Sequence, residues 1–239
     1  MGIQQTVVEH LALGRFAIKQ PQLARLIRQV RSQHLTYLDT AALIDLAHAV
    51  HQIEQHQTPG ILIEAGCALG GSALVIAAAK TPSRSFWLYD VFGMIPPPSI
   101  HDSIDVHQRY EEIVSGCSAG LGSELYYGYQ ENLYAKVLAT FTTFGYPVDT
   151  NAIHLIKGLY EDTLSVNQPV ALAHIDCDWY ESVMICLEEI TPQLVAGGIL
   201  VIDDYYSWSG CRQAVDDFFT ASKHLFHFDH KSRLHITKL

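Results

Sequence analysis

Residues 61–72 read Ile-Leu-Ile-Glu-Ala-Gly-Cys-Ala-Leu-Gly-Gly-Ser, a short apolar run that passes into a glycine-rich turn. Such a continuous apolar run is typical of a strand that is buried on both faces. The alanine-rich residues 72–79 predict a helix, and residues 86–89 predict a second strand that ends at Asp90. A strand, a loop, a helix and a second strand together form the repeating unit of a parallel sheet.

The same alternation continues along the rest of the chain. Further strands are predicted at residues 153–156, 170–175 and 199–202, and a closing hairpin at residues 225–228 and 233–237. Helices are predicted at residues 131–144, 180–194 and 211–221. Gly197 and Gly198 are expected to stop the helix that precedes them. We therefore predict an α/β fold with a doubly wound sheet.

Two segments lie outside this repeating pattern. Residues 1–57 carry apolar stripes at helical spacing and end at Thr58-Pro59-Gly60, which predicts an N-terminal helical lid or extension, or a contact in a homodimer. Residues 58–239 then form the sheet domain. Within it, residues 93–130 are rich in proline and glycine and predict a long insertion with helical pieces. Loops of this length usually bind ligands or close over a site.

Composition and charge limit the classes of function. The 239 residues are 49% hydrophobic, which is enough for a full core, and the net charge of −10 argues against nucleic acid or an anionic membrane as a partner. The five cysteines are odd in number and match no zinc-binding spacing, which predicts reduced thiols. The chain shows no signal-peptide pattern and no membrane-spanning run. We therefore expect a cytoplasmic protein.

The glycine-rich turn indicates a ligand with little phosphate. A dinucleotide fingerprint fails at Ala68, and no lysine follows Gly71 as a P-loop requires. Asp90 lies 24 residues after Gly66, where an acid can accept hydrogen bonds from ribose hydroxyls. Turn and acid together favour an adenosine-containing ligand. The alternatives are a turn that only packs a helix and an aspartate that only caps a strand end.

Acidic residues follow two predicted strands, Asp176 and Asp178 after the one and Asp203 and Asp204 after the next. If these strands are neighbours, Asp176, Asp203 and Asp204 converge at one edge and repel each other. A divalent cation would relieve that repulsion, and oxygen ligands favour Mg²⁺, Mn²⁺ or Ca²⁺. The alternative is that each aspartate caps a helix. His174, within an apolar run, is interpreted as a core histidine.

Four motifs occur in a fixed order: Glu64-x-Gly66-x-x-x-Gly70-Gly71-Ser72, Asp90-x-Phe92-Gly93, His174-Ile-Asp176-Cys-Asp178-Trp-Tyr180-Glu-Ser182, and Gly197-Gly198-x-x-x-Ile202-Asp203-Asp204-Tyr205. Together they resemble the macrocin O-methyltransferase family, over roughly residues 35–239. This sequence departs from the family pattern at Gly93, since in the family an acid often follows the phenylalanine. Residues 101–130 have no clear alignment with the family.

The resemblance implies the class I methyltransferase fold, with seven strands of which the last is antiparallel. It implies that S-adenosylmethionine is held by Glu64, Ala65, Gly66, Gly70, Ser72, Asp90, Gly158 and Asp176. It makes Asp176, Asp203 and Asp204 the metal ligands and Asp178 the general base. The expected acceptor is a hydroxyl of a small molecule, on a natural-product sugar or, as the runner-up, on a phenol or catechol.

Two other classes of function compete with this one. A nicotinamide-dependent dehydrogenase uses a similar sheet, but the broken glycine fingerprint counts against it. A non-catalytic binding protein could keep the fold, but it would not need several carboxylates held together.

Overall fold

The computed structural model describes residues 3–239, with side chains from residue 11 onward. Its strands are β1 (Ile61–Ala65), β2 (Phe86–Asp90), β3 (Ile153–Lys157), β4 (Val170–Ile175), β5 (Leu194–Ile202), β6 (Phe226–His230) and β7 (Leu234–Lys238). Its helices are α1 (Ile3–Lys19), α2 (Pro21–Ser32), α3 (Thr40–Gln55), α4 (Gly71–Ala79), α5 (Ile104–Val114), α6 (Leu133–Thr143), α7 (Tyr160–Thr163), α8 (Tyr180–Ile190) and α9 (Ser209–Phe219).

The strands form one sheet in the order β3-β2-β1-β4-β5-β7-β6. Strands β1 to β5 run parallel, and β7 pairs antiparallel with both β5 and β6. The doubly wound α/β sheet, its seven strands and the antiparallel last strand are therefore confirmed. The order reverses between β1 and β4, and ligands of such sheets bind outside the carboxyl ends of the strands at this point.

One predicted boundary is wrong. Helix α8 ends at Ile190, and β5 already begins at Leu194, so that Gly197 and Gly198 lie inside a strand rather than at the end of a helix. Val170 pairs with Leu194 and Leu172 with Ile199, and the residues of β5 between these pairs bulge out of the ladder. Glycine inside a strand commonly marks such a bulge.

The N-terminal helices pack directly on the sheet. Ile27 of α2 and Val50 of α3 belong to the same buried cluster as Leu62 and Leu172 of the sheet. The opposite face of the sheet packs on α8 and α9. The prediction that residues 1–57 are helical is confirmed from residue 3, whereas residues 1 and 2 lie outside the described part. A role for this segment as a lid stays a prediction.

The insertion at residues 93–130 contains helix α5 and a single 3-10 turn, Tyr127–Tyr129, joined by irregular chain. This confirms a long connection with helical pieces. No helix within residues 3–239 has the length and apolar character needed to cross a bilayer. All five cysteines are free thiols, as predicted.

Candidate active site

The carboxyl ends of β1, β4 and β5 bring the predicted acids together. The backbone ladder continues past the strand ends, since the amide of Asp176 donates to the carbonyl of Ala65 (2.9 Å) and the amide of Asp203 to that of Ile175 (3.0 Å). This confirms that the two acid-bearing strands are neighbours. Donor atoms of His174, Asp176 and Asp203 all lie within 4.8 Å of one another.

Asp204 and Asp178 complete the acid cluster. The amide of Asp178 donates to Oδ2 of Asp204 over 3.3 Å, and the charge of Asp176 acts on Asp204. Burial and the neighbouring carboxylates raise the pKa values of Asp176 and Asp204 well above their usual range. Negative charge is therefore costly here, and the cluster can hold a cation or a proton.

His174 is a member of this cluster as well as a buried residue. Its Nδ1 lies 2.8 Å from Oε1 of Glu64, and its Nε2 lies 3.7 Å from Oδ1 of Asp203. Although burial opposes the charged form, Asp203 and Glu64 raise the pKa of His174 to about 9. The sequence interpretation of a core histidine describes its burial correctly but misses its two acidic neighbours.

Arg233 was missed by the sequence analysis. Its Nε donates to Oδ1 of Asp203 over 2.7 Å. Burial opposes ionisation of Asp203, but the charge of His174 and the hydrogen bond from Arg233 lower its pKa. Asp203 is thus the acid of the cluster that has an arginine and a histidine within 4 Å. Only the register of the antiparallel β5–β7 pair could have revealed this contact, because 29 residues separate the two side chains in sequence.

The glycine-rich turn lies against the end of β4, and Asp90 holds it in place. Oδ2 of Asp90 accepts hydrogen bonds from the amides of Cys67 and Ala68, both at 2.9 Å, and Oδ1 accepts one from the amide of Phe92 at 2.6 Å. A side chain at Gly66 would overlap the carbonyl oxygen of Asp176, so this position requires glycine. The structure thus brings the turn and Asp90 together, and their binding of an adenosine-containing ligand stays a prediction.

Two adjoining cavities open at this edge of the sheet. The larger has a volume of about 320 Å³ and is lined by Gly66, Ser72, Asp90, Asp176, Asp178, Asp203 and Asp204 among others. The smaller, about 50 Å³, is lined by Gly66, Asp90, Tyr127, Leu159, Tyr160, Asp176, Asp178 and Trp179 among others. Gly66, Asp90, Asp176 and Asp178 therefore form a wall that both cavities share.

Four predicted cofactor residues do not line either cavity. Glu64 and Ala65 are fully buried within β1, and the carboxylate of Glu64 is turned to His174. Gly70 faces Val137 of α6. The amide of Gly158 donates to the carbonyl of Asp90, so it supports the site from behind. The structure thus places these four beside the site rather than on its surface.

Asp178 has an unusual backbone conformation. Its φ is +59°, a left-handed value that a non-glycine residue adopts at a cost and often at functional positions. Burial and the charge of Asp203 raise its pKa to about 6, although the Arg109 charge and the Trp208 side chain act to lower it. The geometry therefore presents a carboxylate at the cavity wall.

The insertion and the N-terminal segment provide the outer wall of the larger cavity. None of the residues in this wall was predicted from the sequence: Leu35, Thr36, Tyr37, Leu38, Arg109, Ile113, Tyr126 and Tyr127. The guanidinium of Arg109 lies over the ring of Tyr126, 5.6 Å from its centroid. Residues 93–130 thus help to shape the cavity, and the tyrosines among them were the available signal in the sequence.

Known proteins resemble this chain in sequence along most of its length. Residues 28–230 match the sequence model of the family described as Macrocin-O-methyltransferase (TylF). The chain belongs to the macrocin O-methyltransferase family. It is 28% identical over 190 residues to an 8-demethyl-8-(2,3-dimethoxy-alpha-L-rhamnosyl)-tetracenomycin-C 4'-O-methyltransferase of Streptomyces olivaceus, covering 77% of this chain and 67% of that one. It is 26% identical over 194 residues to a mycinamicin III 3''-O-methyltransferase of Micromonospora griseorubida, covering 77% and 69%.

Comparison with a solved structure agrees with this membership at the level of the fold. The O-methyltransferase NovP superposes with a TM-score of 0.69 at 21% identity, covering 88% of this chain and 86% of NovP. This macrocin O-methyltransferase family member therefore has the class I methyltransferase fold and is an S-adenosylmethionine-dependent O-methyltransferase. The dehydrogenase and the non-catalytic binding protein are thereby set aside.

Proposed function

We propose that this O-methyltransferase methylates a hydroxyl group on the sugar or the aglycone of a natural product, with a divalent cation bound at the acid cluster. The observation that carries the proposal is the wall shared by the two cavities, where Asp176 and Asp178 lie beside the glycine-rich turn. The names of the relatives from Streptomyces olivaceus and Micromonospora griseorubida point to natural products as the class of acceptor.

The acid cluster fits a hard divalent cation. Asp176, Asp203 and Asp204 offer oxygen donors, which suit Mg²⁺, Mn²⁺ or Ca²⁺. Arg233 and His174 compensate Asp203, whereas burial and the neighbouring carboxylates raise the pKa values of Asp176 and Asp204. His174 is a further candidate ligand on distance alone. A bound cation would lower the pKa of an acceptor hydroxyl and orient it.

The turn and Asp90 are proposed to hold S-adenosylmethionine, which supplies the activated methyl group. Three hydrogen bonds from backbone amides use most of the acceptor capacity of the Asp90 carboxylate, leaving about one lone pair for a ribose hydroxyl. Gly66 lets the backbone come close to a ligand, and Ser72 lies at the start of α4 on the cavity surface. Gly70 would shape the turn, and Gly158 would support Asp90 through its backbone amide.

Asp178 is proposed to accept the proton of the acceptor hydroxyl. Its carboxylate lies on the wall common to both cavities, so it can reach a hydroxyl placed between the turn and the acids. The Arg109 charge and the Trp208 side chain favour its ionised form, which a base requires. The larger cavity has an aromatic surface formed by Tyr126, Tyr127 and Trp179, and such a surface suits the face of a sugar ring. The same surface also fits a phenol or catechol, which is the second candidate acceptor.

The experiment is a methyl-transfer assay with radiolabelled S-adenosylmethionine and a panel of glycosylated natural products, their aglycones and simple catechols. We expect transfer to a glycoside or its aglycone, loss of transfer in EDTA, and recovery with Mg²⁺ or Mn²⁺. Asp178→Asn should lower kcat by about 10²–10⁴-fold while S-adenosylhomocysteine still binds. Full turnover in EDTA would refute the metal, and an unchanged kcat in Asp178→Asn would refute the general base.

A further inference from the structure

The antiparallel pairing of β5 with β7 places a cation directly beside the acid cluster. Ile202 pairs with Leu234, so the adjoining residues Asp203 and Arg233 lie opposite each other just beyond the ladder. The ion pair is short, at 2.7 Å, and the Arg233 side chain is only 18% exposed. Opposite charges at facing positions of neighbouring strands stabilise the pairing.

The rest of the guanidinium is fixed from the other side. Nη1 of Arg233 donates to the carbonyl of Ser232 over 3.0 Å and lies 3.7 Å from Oδ2 of Asp39. Asp39 caps helix α3, since its Oδ1 accepts a hydrogen bond from the amide of Ala42 at 2.8 Å. Arg233 is therefore held between Asp39 at the start of α3 and Asp203 of the acid cluster.

Only one oxygen of Asp203 is used by these contacts. Arg233 binds Oδ1, and His174 approaches the same oxygen at 3.7 Å, whereas no hydrogen bond to Oδ2 is found within the described chain. A cation held by Asp203 together with Asp176 would therefore lie near a guanidinium that shares one of its ligands. The positive charges of the cation and the guanidinium would repel each other strongly in this partly buried site.

We infer that Arg233 is a resident counter-cation, which stabilises the acid cluster when the divalent cation is absent and weakens the binding of that cation. This inference rests on the metal site proposed above. If so, the bound cation should exchange readily with solvent, because Arg233 already neutralises part of the negative charge that would hold it. An arginine that merely orients Asp203 would have the opposite effect, since loss of such a partner typically weakens metal binding about 10–100-fold.

The test compares Arg233→Gln with the wild-type enzyme in Mn²⁺ binding, followed by the electron paramagnetic resonance signal of free Mn²⁺, and in thermal unfolding. Glutamine keeps an N–H donor for Asp203 but removes the charge. We expect Mn²⁺ to bind at least about tenfold more tightly. The metal-free variant should melt at a lower temperature, and Mn²⁺ should raise its Tm by more than it raises that of the wild type.

Arg84→Gln is the matched control. Arg84 is 15% exposed and its Nε lies 2.7 Å from Oε1 of Glu54, but it contacts the carbonyls of Thr58 and Gly60 at the amino end of β1. Its loss should lower the Tm and leave Mn²⁺ affinity unchanged. Arg233→Lys, which keeps the charge, should bind Mn²⁺ like the wild type. Arg233→Lys also tests the inference if Arg233→Gln does not fold, because about tenfold tighter Mn²⁺ binding by the lysine variant would contradict an effect of charge.

The outcomes separate the inference from the proposed function. If the wild type binds Mn²⁺ and Arg233→Gln binds it equally or less tightly, the counter-cation is refuted and the metal site stands. If the wild type binds no Mn²⁺, both are refuted.

Discussion

Nδ1 of His174 lies 2.8 Å from Oε1 of Glu64, and neither side chain has exposed surface. Glu64→Ala would leave the buried imidazolium with Asp203 as its acidic neighbour, so we expect the free energy of unfolding to fall by about 3–5 kcal/mol. Glu64→Gln keeps an acceptor for the ring N–H and should cost about 1–2 kcal/mol. Urea unfolding followed by circular dichroism measures both changes.

The same variants test whether Glu64 contacts the cofactor, as the family resemblance implies. Because Glu64 lines neither cavity, Glu64→Gln should bind S-adenosylhomocysteine with a Kd within about threefold of the wild type, as calorimetry would show. A Kd raised about tenfold or more would restore the contact expected from the sequence.

Asp203 and Asp204 should differ in their effects on stability. From the sequence alone, Asp203→Ala is expected to leave the fold nearly intact, but the ion pair with Arg233 changes this expectation. Asp203→Asn should lower the free energy of unfolding by about 3 kcal/mol, because a buried arginine loses its partner. Asp204→Asn removes a charge that the other carboxylates of the cluster repel and keeps an oxygen that can accept from the amide of Asp178, so the metal-free protein should be equally or more stable.

Both substitutions should reduce methyl transfer about 100-fold or more if the cluster binds the cation. Chemical unfolding in EDTA, together with the transfer assay in Mg²⁺, measures the two effects separately. Equal destabilisation by the two variants would contradict the finding that, of these two aspartates, it is Asp203 that Arg233 and His174 contact.

Gly66 should be far more sensitive than a glycine with similar backbone geometry. Gly66 and Gly145 have φ values of +88° and +85°, but a side chain would overlap Asp176 at Gly66 and meets no atom within 4 Å at Gly145. Gly145→Ala should cost about 1–2 kcal/mol from strain alone. Gly66→Ala should cost more and abolish binding of S-adenosylhomocysteine, measured by thermal unfolding and calorimetry. Similar losses in both would show that the overlap is relieved by backbone movement.

The sheet and the acids were predictable because their signals are local. A buried strand followed by an acid can be recognised from the sequence alone. Because β4 and β5 are parallel neighbours, Asp176 and Asp203 then lie at the same edge of the sheet. The bulge at Gly197 was not predictable, since glycine signals a helix end as readily as a strand irregularity.

The partners of the acids could not be predicted in the same way. Arg233 meets Asp203 only through the register of an antiparallel pair, which no local pattern specifies. His174 stands in an apolar run because its strand is buried, and its pairing with Glu64 depends on the register of β1 with β4. Tyr126 reaches the cavity through an insertion whose path follows no periodic pattern.

Acid stability should depend on His235 of β7. This residue is 2% exposed, and neither ring nitrogen has a hydrogen-bond partner among the described residues. Burial lowers its pKa to about 4, whereas the unfolded chain titrates near about 6.5. Between these values the unfolded state binds the proton and the folded state does not. Stability therefore falls as the pH falls through this window.

His235→Leu should remove this loss. Between about pH 7.5 and about pH 5 the wild type should lose about 2 kcal/mol more than the variant in free energy of unfolding. Urea unfolding at the two pH values measures the difference, and His224→Leu, at an exposed histidine before β6, is the control that should behave like the wild type. If His235→Leu and the wild type lose equal stability on acidification, His235 is protonated in the folded protein, and its burial does not exclude the charge.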